Sequence, residues 1–202
     1  MRPPTRITLS LLAALVIAPA SAQTRCDWRE AAWPEDRAAI TTGLDTARDL
    51  ATRFTPANAG SRAARGLLDR AMAPRALGDI AGQWQVRSIQ LHDDFAYAYP
   101  YFKARIGRGR CGWTFAKTTG SQRRNGVLLG TAGEQHALAF LGGSTVNDDP
   151  VRAYSRIADP NAQVAAESDS TGRLVRFGRR ELLLILDVEQ GRGGFELYHL
   201  KR

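Results

Sequence analysis

Phe95-Ala96-Tyr97-Ala98-Tyr99-Pro100-Tyr101-Phe102-Lys103-Ala104-Arg105-Ile106 is the stretch on which the fold turns. In an extended chain successive side chains point to opposite faces. Phe95, Tyr97, Tyr99 and Tyr101 therefore share one face, and Ala96, Ala98, Pro100, Phe102, Ala104 and Ile106 the other. Both faces are rich in apolar groups, so both are to be covered, one by the interior of a barrel and one by helices. The tyrosines have two readings: packing with hydroxyls reaching water, or the aromatic wall of a ligand site.

The texture around this stretch is uniform. Short runs rich in β-branched and aromatic residues alternate with Gly, Asn and Asp. Strands are predicted at Gly82–Leu91, Tyr97–Ile106, Cys111–Thr118, Gly126–Thr131, Gln135–Leu141, Gln163–Ser168, Arg173–Phe177, Glu181–Asp187 and Phe195–Leu200. The short intervals, without helical periodicity, argue an antiparallel meander rather than parallel units with crossover helices. About nine strands in about 120 residues are too many for a flat sheet, and closure removes the exposed edges. The fold class is thus mainly β: an antiparallel meander closed, or nearly closed, into a small barrel.

Two helices precede it. Trp33-Pro34-Glu35-Asp36 is a helix start, with Pro in the first turn and carboxylates at the positive end of the dipole. Ile40, Leu44, Ala47, Ala51 and Phe54 then form one apolar stripe, ended by Pro56 and Gly60. Ser61 can cap a second helix with the stripe Ala64, Leu67, Leu68, Ala71 and Met72, stopped before Pro74.

Arg2 and Arg6, the apolar run Ile7–Ile17, and Ala20-Ser21-Ala22 are the three parts of a cleavable secretory signal peptide. Cleavage is predicted before Gln23. The run is too short for a permanent anchor, which needs roughly 20 apolar residues. Arg25 before Cys26 argues against lipid attachment. The organisation expected is a signal peptide over 1–22, a helical segment over 23–78 and a β-barrel-like domain over 79–202, with no transmembrane segment in the mature chain. The formal charge of the chain is +8, falling to about +6 once the signal is removed. Nearly all of that charge is arginine in an alanine-rich chain, as a GC-rich genome produces, and export removes the chain from nucleic acid; no nucleic-acid partner is expected. Cys26 and Cys111 are the two cysteines. In an oxidising compartment the even count predicts a bridge, worth about 4–5 kcal/mol in the chain-entropy model; the alternative is two thiols, with Cys111 packed in the core.

Few motifs carry chemistry. Gly107-Arg108-Gly109-Arg110-Cys111-Gly112 matches G-x-G-x-x-G, but a strand follows where a helix is required, so it is a hairpin turn. His92, His136 and His199 lack metal-ligand spacing. The oxygen-rich segments His92-Asp93-Asp94 and Asn147-Asp148-Asp149 lack a calcium register. No cofactor and no metal is implied. Glu167, Asp169, Asp187, Glu189 and Glu196 could pair in space for glycoside chemistry, which only their separation decides.

The segment from Lys117 to Gly126 stands out. Trp113 and Phe115 share a face with Lys117, so the polar residues that follow, Ser121, Gln122 and Arg123, sit at one mouth of a barrel. Lys117, Ser121, Gln122, Arg123, Trp113 and Tyr99 are the candidate ligand-binding residues for an acidic small molecule or a glycan end. The alternatives are a solvated hairpin loop, and an Arg123 that ties its own loop through carbonyls or Asp148.

Two resemblances appear. Gly82-Gln83-Trp84 is similar to the G-x-W of lipocalin-type barrels, a likeness that implies Trp84 at the barrel floor and a late arginine, Arg202 or Arg179, stacked on it. The second covers about residues 80–200. Gly82-x-Trp84-x-x-Arg87, Tyr99-Pro100-Tyr101-Phe102-Lys103-x-Arg105-Ile106, Lys117-x-x-Gly120-Ser121-Gln122-Arg123 and Ser144-x-Val146-Asn147-Asp148-x-Pro150 resemble, in order, an exported proteobacterial family named domain of unknown function 4893. That family's pattern places cysteines in the first two strands, where this chain has Val86 and Ala104. The likeness implies export and a shared domain, and no activity. The sequence thus points to a periplasmic or secreted binding module for a small amphipathic ligand or an envelope protein. An envelope hydrolase using acidic residues and a structural component without ligand stand as alternatives.

Overall fold

In the computed structural model, residues 26–53, 58–92, 95–130, 134–188 and 194–202 are described. The predicted signal peptide, Phe54, Pro56, Asp93, Asp94 and Glu189 lie outside them. Eight antiparallel strands close into a barrel in which every strand pairs with its neighbours in sequence and the last pairs with the first. They are β1 (Gly82–His92), β2 (Phe95–Arg108), β3 (Gly112–Lys117), β4 (Gln122–Leu129), β5 (Ala137–Val146), β6 (Asp169–Gly178), β7 (Glu181–Leu186) and β8 (Phe195–Lys201). Three helices precede the barrel: α1 (Trp28–Ala31), α2 (Pro34–Ala51) and α3 (Ala59–Ala71). A fourth, α4 (Ser155–Ala158), lies between β5 and β6. No helix among the described residues is long and apolar enough to cross a membrane.

The sixth of the nine predicted strands, Gln163–Ser168, is absent. That stretch is irregular, and its end is held by Asp169, whose carboxylate accepts from the backbone N–H of Ala166 at 3.2 Å. β4 begins four residues earlier than Gly126, so the polar segment after Lys117 is largely strand, with a turn of only Thr118–Ser121. The helix starts are half anticipated. Pro34 opens α2 as expected, but Asn58, not Ser61, caps α3, its Oδ1 accepting from Gly60 N at 2.7 Å. Met72 follows α3 with 42% of its surface exposed instead of continuing the stripe.

The barrel has two apolar layers. Inside, Trp84, Val86, Ala104, Ile106, Phe115 and Phe140 pack with the inward leucines of β6, β7 and β8. Outside, the α2 and α3 stripes, Ala47, Leu50, Ala64, Leu67, Leu68 and Ala71, lie on Ile89, Leu91, Ala96, Leu183, Ile185 and Leu197. β2 changes faces between the layers. Arg87 pairs with Tyr101 and Ile89 with Ala98, so two residues of β2, Tyr99 and Pro100, oppose Ser88 alone. This is a β-bulge at a proline, which has no N–H to give the ladder. It breaks the simple odd–even partition of Phe95–Ile106. Phe102, Ala104 and Ile106 face inward, whereas Ala96 and Ala98 face α3. Tyr101 faces outward with His199, and Phe95 and Tyr97, which share a face with Gln90, stay exposed at the rim.

One end of the barrel is closed. Leu77 and Ile80, in the segment entering β1, pack against Trp84, whose Nε1–H donates to Ile80 O at 3.0 Å. The Arg202 guanidinium carbon lies 4.4 Å from the Trp84 ring centroid, so of the two late arginines Arg202 takes the stacking position. Cys26 and Cys111 are disulfide-bonded with Cα atoms 5.0 Å apart, tying the start of the helical segment to the strand entry at β3. Such a bridge fits a compartment outside the cytoplasm. Tyr154 completes the attachment: its hydroxyl accepts from Trp33 N at 2.8 Å and donates to Asp36. Burial raises the pKa values of both Tyr154 and Asp36 above their ordinary values.

Candidate functional site

The end of the barrel opposite Trp84 is chemically unlike the closed end. β3 ends in Lys117, and β4 sends Gln122 and Arg124 inward at period two. Arg124 Nη2 lies 2.9 Å from both Asp187 Oδ2 and Glu196 Oε2. The Arg124 side chain is 14% exposed and that of Glu196 8%. Burial works against the Arg124 cation, but the two carboxylates more than offset it and raise its pKa. Glu196 also accepts from the Ser88 hydroxyl. Asp187 accepts from Ser170 Oγ at 2.9 Å and Thr171 N at 3.2 Å. Its own backbone is left-handed, at φ 54°, which is costly for a residue with a Cβ. Strain of this kind is characteristic of sites whose surroundings fix a side chain in place.

Lys117 is 4% exposed. Its Nζ donates to Gln122 O and stands 4.7 Å from the Phe102 ring centroid and 5.8 Å from that of Tyr198. Burial lowers its pKa, with Glu196 acting in the opposite direction. Beside it the buried Tyr198 hydroxyl and Arg124 Nε have no hydrogen-bond partner among the described residues, and burial raises the Tyr198 pKa. A chain of polar groups leads out to the rim: Tyr99 OH donates to Gln90 Oε1 at 3.2 Å, and Gln90 Nε2 donates to Gln122 Oε1 at 2.7 Å. Above this chain Phe95, Tyr97 and Tyr99 form a ladder of rings, with centroids 6.4 Å and 4.5 Å apart. Phe95 is 53% and Tyr97 49% exposed.

The structure therefore gathers Tyr99, Lys117 and Gln122 at one mouth, with Ser121 exposed beside them. It does not gather Trp113 or Arg123 with them. Trp113 shares the inward parity of Lys117 but stands at the far end of β3, where it pairs with Arg108 and Leu128. There it lines a separate cleft of about 760 Å³ with Cys26, Cys111, Leu129, Arg156 and Ile157. Arg123 has the opposite parity from Arg124. Its Nε donates to Gly120 O at 3.1 Å and its Nη2 lies 4.0 Å from Asp148, the turn-bracing geometry weighed from the sequence. Gly120 makes that turn possible at φ 90°, where a Cβ would also crowd Phe102 at 3.2 Å.

Ser88, Gln90, Arg124, Ser170 and Tyr198 escaped the sequence reading. Their signal was there as period-two polar residues, but polar positions are read as solvent-facing by default. Asp187 and Glu196 do come together, as paired carboxylates were required to. The Arg124 guanidinium stands between them, where a water or glycosidic oxygen would have to stand for glycoside hydrolysis. Side chains fill the closed half of the interior: the Phe140 ring lies within 2.7 Å of where Cβ atoms on Gly126 and Gly142 would be. The described residues contain no cluster of His, Cys, Asp and Glu able to hold a metal ion.

Comparison with curated proteins and with solved structures returns no match. Residues 28–200, spanning the helical segment, the barrel and its mouth, match the model of the family described as Domain of unknown function (DUF4893), and the chain belongs to that family.

Proposed function

We propose that the protein is a binding module of the cell envelope that takes a small amphipathic ligand at the open mouth of its barrel. The ligand's apolar part lies against Phe95, Tyr97 and Tyr99. Its polar, acidic end faces Ser121, Gln122, Lys117 and Arg124. The observation that carries this reading is the juxtaposition of exposed aromatic rings with a preorganised polar cluster at one end of an otherwise apolar interior. Pockets that orient amphipathic molecules combine an apolar wall with a few fixed polar groups. The envelope location rests on the signal-peptide pattern and on the disulfide.

Native mass spectrometry of protein purified from its own periplasm tests the reading, because a retained ligand is weighed directly. A bound mass in the wild type that is lost from a Tyr97→Ala/Gln122→Ala variant of unchanged melting temperature supports it. A mass that persists in that variant, or a wild type that carries none and captures none from an envelope extract, overturns it.

A further inference from the structure

The closed end of the barrel carries a recess lined by Arg176, Arg179, Arg180 and Arg202. We infer that this recess is a binding site for a phosphate-bearing anion. It is independent of the mouth, from which it is separated by the packed interior.

Four guanidinium groups in one place repel one another unless something balances them. In folded proteins carboxylates usually do so, but here the nearby side-chain carboxylates among the described residues are committed elsewhere. Asp79 pairs with Arg108, and Glu181 with Arg70 and His199. Arg176 and Arg202 are held instead by neutral oxygens. Arg176 donates to the carbonyls of Gly178 at 3.1 Å and Leu77 at 2.6 Å, and to that of Arg179. Arg202 donates to the carbonyls of Ala81 at 2.8 Å and Asp79 at 3.4 Å, and stacks on Trp84. Carbonyls fix a guanidinium without neutralising it, and the fork keeps N–H groups to spare. Two fixed cations therefore form the base of the recess. Arg179 and Arg180, exposed in the turn between β6 and β7, form its outer arms and have no ion-pair partner among the described residues.

Forked donors on a rigid base with two free arms suit a tetrahedral oxyanion with several acceptor oxygens better than a single carboxylate. A diphosphate or an exposed phosphomonoester fits that chemistry. Its source is either a small soluble molecule or the headgroup of an anionic amphiphile.

Isothermal titration with inorganic pyrophosphate, and cosedimentation with phosphatidylglycerol vesicles against phosphatidylcholine vesicles, test the inference. Arg179→Gln/Arg180→Gln is the test variant, since both side chains lie in an exposed turn. Arg53→Gln/Arg152→Gln, at exposed positions in other parts of the fold, removes equal charge as control. The wild type is expected to bind at least one probe, and the test variant at least tenfold more weakly, with the control unchanged and all melting temperatures alike. Pyrophosphate binding without vesicle binding assigns a soluble ligand; selective binding to the anionic vesicles assigns a headgroup. Binding of neither probe, or equal weakening in test and control variants, overturns the site. A failure at this end leaves the mouth untouched, because the periplasmic mass and its loss in the Tyr97→Ala/Gln122→Ala variant are read separately.

Discussion

Arg124 Nη2 donates to Glu196 Oε2 at 2.9 Å within the barrel interior, joining β4 to β8 across its diameter. The two strands are not neighbours in the sheet, so this bond ties opposite walls through their side chains alone. The charges inside the mouth balance: Lys117 and Arg124 stand against Asp187 and Glu196. Removing one member should therefore cost far more than the ion pair is worth. Arg124→Met leaves buried Glu196 without its bonded cation and is expected to lose about 3–5 kcal/mol in urea unfolding. The double variant Arg124→Met/Glu196→Gln should recover a large part of that loss. A single variant within about 0.5 kcal/mol of wild type, the range of unremarkable surface changes, would show that the network is not a structural unit.

Two glycines of α3 should respond to alanine with opposite signs. A Cβ on Gly60 would stand 2.3 Å from the carbonyl oxygen of Ala96, because the start of the helix packs directly on the backbone of β2. Gly60→Ala is expected to destabilise by about 1–3 kcal/mol, the usual range for overpacking. A Cβ on Gly66 meets nothing within 4 Å. Gly66→Ala is expected to stabilise by about 0.5–1 kcal/mol through helix propensity. Chemical denaturation of both variants checks the pair, and equal effects would contradict the packing of α3 on β2.

The bridge between Cys26 and Cys111 spans 85 residues of sequence and anchors the whole helical segment to the barrel. Cys26→Ser/Cys111→Ser is expected to lose about 2–5 kcal/mol. Adding reductant should lower the melting temperature of the wild type to that of the variant and leave the variant unchanged. Labelling of non-reduced protein should find no reactive thiol.

The barrel was legible because its strands obey period two, and the bridge because two cysteines have one partner each. What escaped has a common cause. Gln122 and Arg124 face inward, so β4 opens with polar residues on its buried side and reads as loop. Tyr99 and Pro100 form a bulge, so β2 exchanges its faces at a point that alternation alone cannot locate. Gln163–Ser168 has the texture of a strand but no partner strand, and pairing is a property of the whole sheet. Of the candidate residues named from the sequence, Lys117, Ser121 and Gln122 lie together at the β3–β4 turn. Their buried partners Ser88, Asp187, Glu196 and Tyr198 lie far off in sequence and needed barrel closure to meet them.

His199 gives the fold a dependence on mild acid. Its Nδ1 lies 3.0 Å from Tyr101 OH and its Nε2 3.1 Å from Glu181 Oε1. A neutral ring satisfies both, accepting from the tyrosine and donating to the carboxylate. Burial lowers its pKa below the ordinary value; Glu181 opposes the shift, and Arg70 and Lys201 favour it. The unfolded chain therefore binds the proton more readily than the folded one. The stabilisation is complete above about pH 6.5 and is lost as pH falls from there through the folded value. His199→Gln keeps a donor and an acceptor but does not titrate. Its stability should fall less steeply with acid than that of the wild type, by no more than one proton's slope, about 1.4 kcal/mol per pH unit. Parallel pH profiles would place the acid sensitivity elsewhere.

Arg123 separates a brace from a ligand contact. Its side chain is 33% exposed, its Nε is spent on Gly120 O at 3.1 Å, and its ion pair with Asp148 is long, at 4.0 Å, with the aspartate wholly exposed. The carbonyl bond is the stronger of the two, because a guanidinium that caps a turn at a glycine of positive φ replaces a backbone partner the turn cannot supply. Arg123→Ala is expected to lose about 0.5–1.5 kcal/mol, the net worth of one hydrogen bond. Asp148→Ala should be indistinguishable from wild type, since exposed pairs contribute little. Arg124, one residue on, faces the interior with opposite parity and carries the mouth chemistry. Any ligand recovered at the mouth should therefore bind Arg123→Ala with unchanged affinity once the loss in stability is allowed for. A loss of affinity at unchanged melting temperature would move the contact outward, from the barrel interior to the β3–β4 turn itself.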